Sequence, residues 1–182
     1  MISYDDTRQQ YRPQHIKLLL IAESPPPAAH IQSSRQFYRS DRVRTDDRLY
    51  ANTIRALYPE AAEVPEVQLQ TDKEQWLRRL QQDGVYMIEA LEESQQHAVT
   101  KKQRQARIDA CLPRLLARVR ALAEPYTKII LIKSNVFAIA AEPLRQAGFT
   151  VLNTGLVDYP GHYNQRAYRE KLAQLAAKLD GL

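Results

Sequence analysis

The sequence is poor in the residues that build the commonest cofactor and metal cradles. Its 182 residues hold only 5 glycines and 1 cysteine. Neither G-x-G-x-x-G nor G-x-x-x-x-G-K-[ST] occurs, so the usual glycine-rich phosphate loops are excluded. Cys111 stands alone and can close no internal disulfide and hold no iron–sulfur cluster, which suits a reducing compartment. His15, His30, His97 and His162 show no metal-ligand spacing among themselves or with that thiol, so neither a metal site nor a cofactor is expected. No apolar run approaches the roughly 20 residues that span a bilayer. The start, from Met1 to Asp6, has neither the basic nor the apolar region of a signal peptide. A cytoplasmic protein with no membrane partner is the expectation.

What is present suits one globular domain over residues 1–182. Apolar residues make up 44% and charged residues 26%, close to the globular average, and the length is enough to bury a core. The net charge of +5, from 26 Lys+Arg against 21 Asp+Glu, is compatible with a polyanion and equally with a mildly basic surface. Basic residues gather at Arg35, Arg39, Arg42, Arg44 and Arg48, and again at Lys101, Lys102, Arg104 and Arg107.

The most informative stretch is Ile16 to Pro26. Its apolar residues lack period-2 alternation, so it reads as a strand over 16–22 buried on both faces. The prolines at 25, 26 and 27 lack an N–H and stop the ladder near Ser24. Further apolar runs predict strands over 85–88, 128–132 and 149–152. Between them lie a helix capped by Asp46 or Asp47 and stopped by Pro59, and a short one opened by a Thr71–Glu74 capping box and closed by Gly84. A long helix opens at a Thr100–Gln103 box and is kinked or split at Pro113. Another, capped by Ser134 or Asn135, ends before Gly148, and the last is capped by Asn164. Residues 1–15 read as a lead-in and 59–70 as a loop. The connection over 23–45 is long enough to suggest a functional role. Strands alternating with helices predict an α/β protein, a parallel sheet covered on both sides.

In a parallel sheet the carboxyl ends converge, and ligands bind there. That edge would carry Glu23 and Ser24, Glu89, Lys133 and Ser134, and the loop with Asp158, Tyr159 and His162. Carboxylates, a lysine, hydroxyls and a histidine together can do acid–base chemistry; strand ends are also polar simply because they emerge into water. Lys133 is a candidate ion-pair partner for Glu23, an arrangement that can be purely structural. Ser24 needs a base to act as nucleophile, and His162 is the available one. Phe37 and Tyr38 lie among arginines and suit either stacking on bases or packing against the sheet.

In order along the chain, these motifs resemble the uracil-DNA glycosylase superfamily. Leu-Leu-Ile-Ala-Glu23-Ser24-Pro-Pro is similar to its first-strand motif, whose loop positions the attacking water. Phe37 stands at the spacing of the aromatic that stacks on the extruded base. The segment ending in Glu89 is similar to the second-strand motif whose terminal Asn reads the base edge, and Tyr159-Pro-Gly-His162 occupies the place of the minor-groove loop. The resemblance implies a three-layer α/β/α sandwich around a four-stranded parallel sheet. It also implies glycosidic-bond hydrolysis in DNA, with Glu23, Ser24 and His162 as catalytic residues. Phe37, Glu89, Lys133, Ser134, Tyr159 and Asn164 would contact substrate. Three positions depart from the pattern: Ser24 stands where an Asp activates water, Glu89 replaces the Asn, and Tyr159 replaces a His. A carboxylate at 89 accepts hydrogen bonds but cannot donate one to a uracil carbonyl, which points to a different base. The alternative is a nucleic-acid or nucleotide-binding module that kept the fold and lost the chemistry.

Overall fold

The computed structural model describes residues 4–25, 36–40, 47–93 and 100–179. Four parallel strands form its sheet: β1 (Leu18–Ala22), β2 (Val85–Glu89), β3 (Lys128–Leu131) and β4 (Thr150–Val151), in the order β2-β1-β3-β4. Every residue of β1 and β2 is buried, as strands covered on both faces require. The helices are α1 (Tyr4–Gln10), α2 (Arg48–Leu57), α3 (Glu66–Thr71), α4 (Lys73–Asp83), α5 (Lys101–Leu122), α6 (Ser134–Gln146) and α7 (Gln165–Ala176). Helices α5 and α6 pack together, as do α2 and α7. The fold is α/β with an all-parallel sheet, as the alternating pattern predicts.

Local signals explain most boundaries. Asp47 accepts a hydrogen bond from the Tyr50 N–H and caps α2, and Pro59 ends that helix by opening a single 3₁₀ turn over Pro59–Ala61. The Thr100–Gln103 capping box is formed. Gly84 closes α4 at φ +80. It must be glycine, because a Cβ would stand 2.8 Å from the His15 carbonyl oxygen. Its own carbonyl accepts from the N–H groups of Lys17 and Leu18, so the turn and the entry to β1 are fastened together.

Several expectations need correction. The lead-in contains α1, and the supposed loop 59–70 contains the 3₁₀ turn and most of α3. No capping box forms at Thr71–Glu74: α3 runs through Thr71, whose hydroxyl donates back to the Val67 carbonyl, and α4 starts at Lys73. Neither Ser134 nor Asn135 caps α6, which begins at Ser134 itself behind Lys133, and the Asn164 side chain makes no cap to α7. Pro113 sits inside a continuous α5. The strands at 16–22, 128–132 and 149–152 are shorter than expected, Ile132 joining only by a bridge to Val157. Asp46, His30, His97, Arg35, Arg42, Arg44 and most of the 23–45 connection lie outside the described residues.

Candidate functional site

Strand register sets what meets at the carboxyl edge. Ala22 pairs with Glu89 and Ile21 with Leu131. The ladder continues one step further, through Ala90 N–H to the Ala22 carbonyl (2.8 Å) and Leu91 N–H to the Glu23 carbonyl (2.9 Å). Glu23 is therefore held by backbone pairing to the last rung of the central strand, and half-buried Ser24 is the first residue beyond it.

The Glu23 carboxylate is buried, with two donors from the start of α6. Lys133 Nζ donates to Oε2, and Asn135 Nδ2 donates to Oε1 at 2.8 Å. The pairing foreseen between Glu23 and Lys133 is present. Asn135, foreseen only as a cap, is instead a member of the cluster. A carboxylate accepts and cannot donate, so Glu23 fixes the Asn135 amide with nitrogen inward. The amide oxygen is buried and without a hydrogen-bond partner among the described residues; left unmet, it would cost about 1–3 kcal/mol.

A second cost lies two residues away. Lys133 has φ +83 and ψ 140, and is the one non-glycine with positive φ among the described residues. Side chains avoid that region at a cost of about 1–3 kcal/mol. It is held there by its N–H donating to the Val157 carbonyl (2.7 Å) and its carbonyl accepting from Phe137 N–H (3.1 Å). An orphaned acceptor and a strained backbone within three residues, both touching Glu23, mark where the fold yields stability locally.

The other candidates separate. Glu89 sits beside Ala22, but its carboxylate accepts from Arg8 Nη1 of α1 at 3.1 Å in a buried ion pair, and its carbonyl accepts from Arg118 Nη2 at 2.6 Å. Phe37 is 4% exposed, edge-on to the rings of Tyr38 and Tyr50 at 5.0 and 5.9 Å. Tyr38 is buried too, and its hydroxyl oxygen accepts from Met87 N–H in β2; both rings are core. Ser134 is half-buried at the first turn of α6. His162 is exposed and forms no hydrogen bond with Ser24 or Glu23, so no Ser24–His162 dyad is made. Tyr159 is 43% exposed and Asn164 is exposed; Tyr159 lies electrostatically close to Tyr168, which bonds to Thr53 of α2 at 2.8 Å. Sequence reasoning missed Asn135 as a Glu23 partner and Arg8 as the Glu89 partner. The polar triplet 133–135 after β3 was the available signal for the first; nothing in the N-terminal segment flagged the second.

Among the described residues three buried carboxylates thus meet cations, and they differ in access. Lys73 beside Asp47 is 1% exposed and Arg8 beside Glu89 is 10%, whereas Lys133 beside Glu23 is 30%. Only at Glu23 does the pair open to solvent. Among the described residues no group of three His, Cys, Asp or Glu side chains could hold a metal ion, and no helix is long and apolar enough to cross a membrane. No protein-family model, curated protein or solved structure matches the chain.

Proposed function

We propose that the protein is a divergent uracil-DNA glycosylase-like enzyme that hydrolyses the N-glycosidic bond of a modified or damaged base in DNA. One observation carries this reading: Glu23 is a buried carboxylate at the end of the central strand whose cation reaches solvent. The motif order in the sequence and the four-stranded parallel sheet support it. In this scheme Glu23 orients a water molecule and takes its proton as the oxygen bonds to C1′ of the sugar. The C1′–N bond breaks, its electron pair leaves on the base nitrogen, and Lys133 stabilises that charge before the proton is returned to the base. The products are an abasic sugar and the free base.

A second reading draws on a different observation. Glu89 is taken by Arg8 and Phe37 is packed in the core, so the two positions that would read and stack on a base face inward. This favours a nucleic-acid or nucleotide-binding module of the same fold. An abasic-site assay on oligonucleotides carrying a panel of modified bases separates the two. The enzyme reading expects abasic product, lost by about 10²–10⁴-fold in Glu23→Gln with DNA affinity unchanged. Salt-dependent binding with no product from any base selects the module. Full activity in Glu23→Gln removes Glu23 as the catalytic group.

A further inference from the structure

Helix α5 is far longer than the sheet it covers. Its 22 residues extend about 33 Å, whereas the 5 residues of β1 or β2 span about 17 Å. The helix is anchored at its far end. Arg118 donates to the carbonyls of Glu89 (2.6 Å) and Ala90 (3.2 Å) at the carboxyl edge of the sheet, and the chain then descends from Leu122 to the start of β3. Arg107 stands about 17 Å up the helix axis from Arg118. From 101 to 107 no side chain is buried; the buried residues of α5 are Ile108, Leu115 and Val119. The first two turns project beyond the buried part of the helix, and they follow the connection that leaves β2 at the edge carrying Glu23.

That projecting end is charged in a way the helix itself does not favour. Seven basic residues and the single acid Asp109 give α5 more net positive charge than the whole chain's +5. Lys101, Lys102 and Arg104 occupy the first turn, which holds no acidic residue, although the helix dipole there favours anions. Three exposed arginines elsewhere pair with an acid one turn away, in Arg78–Glu74, Arg79–Asp83 and Arg166–Glu170. Lys101, Lys102, Arg107, Arg114 and Arg120 form no ion pair among the described residues, and for the first four no acid stands three or four residues away along the helix. The exposed face has no large apolar side chain, so it lacks the wedge with which an amphipathic helix enters a lipid surface.

We propose that the projecting half of α5 is a clamp for the phosphate backbone of nucleic acid entering the strand-end site. The inference rests on nucleic acid being the partner in the preceding reading, and places its backbone along Lys101, Lys102 and Arg107. The test is a triple variant, Lys101→Gln with Lys102→Gln and Arg107→Gln, titrated with labelled duplex and single-stranded oligonucleotides over a salt series. Losing three phosphate contacts should make the log–log salt slope on duplex DNA shallower by about 2.7, so affinity near 0.1 M salt should fall by about two orders of magnitude or more. The thermal midpoint should stay or rise, since the removed cations oppose the helix dipole. Base release at saturating DNA should be unchanged while KM rises. Parental affinity and slope in the variant, with abasic product still formed, would overturn the clamp and leave the enzyme reading standing. Binding of the parent to phosphatidylserine vesicles but to no oligonucleotide would overturn both.

Discussion

Replacing Asp47 by alanine should cost this protein about 3–5 kcal/mol, the usual result of stranding one member of a buried ion pair. Lys73 is 1% exposed, and its ammonium donates to Asp47 Oδ2 at 2.7 Å. Its other contacts are neutral: the Gln36 carbonyl at 3.0 Å and the face of the Tyr50 ring at 4.5 Å. Without Asp47 a full charge stays buried with no anion beside it. Asp47 also caps α2 through the Tyr50 N–H at 3.3 Å, which adds about 1 kcal/mol. The pair fastens the segment carrying Phe37 and Tyr38 to α2 and α4, so local loosening there should accompany the loss. For a chain of this size each kcal/mol moves the thermal midpoint by about 2–4 °C, so the two losses together give a drop of about 8–24 °C. Urea unfolding followed by far-UV circular dichroism reads the energy directly. The neutral pair Asp47→Asn with Lys73→Met should cost less than the sum of its single changes, by about 0.5–3 kcal/mol. A loss below about 1 kcal/mol for Asp47→Ala, the size found for exposed pairs, or strict additivity in the double variant, would refute this account of the pair.

Two glycines with positive φ should respond differently to alanine. Gly84→Ala puts a Cβ 2.8 Å from the His15 carbonyl, while nothing lies within 4 Å of one added at Gly148. The first should cost at least about 2 kcal/mol and the second about 1; equal urea midpoints would contradict the geometry. The phenols of Tyr38, Tyr50, Tyr58 and Tyr168 are pushed above their ordinary value of 10.0, first by burial. They stay protonated in the folded chain while the unfolded chain ionises, so their contribution is intact below pH 10 and declines as pH rises further. Phenolate absorbance should therefore lag behind that of exposed tyrosines until unfolding; all 10 tyrosines titrating together in a chain with native circular dichroism would contradict this.

The sheet was legible because its strands are short apolar runs cut off by residues with one structural meaning each. Proline after Ser24 and glycine at 84 leave the backbone few choices. Helices α1 and α3 were not legible, since their segments are polar and lack a 3.6-residue apolar stripe. Thr71 shows why a capping signature misleads. A threonine hydroxyl can receive a hydrogen bond at a helix start or return one to a carbonyl four residues back, and only packing of α3 against α4 decides which.

The site was half legible for a reason that bears on the proposal itself. A carboxylate at a buried strand end signals a possible catalyst, yet burial compels the same carboxylate to find a cation or hydrogen-bond donors whether or not it acts on anything. Asp47 and Glu89 satisfy that demand with partners from α4 and α1 that sequence spacing could not assign, and both pairs are sealed. Pairing alone therefore says nothing about catalysis. Glu23 differs in how its demand is met: its lysine is 30% exposed, sits on a backbone conformation costly to any side chain, and is followed by an amide whose oxygen is left without a partner. A staple would be expected to remove such costs, as the Lys73 pair does. A binding site keeps a strained backbone and a solvent-reaching cation where a ligand uses them, and these two features separate Glu23 from the other two carboxylates.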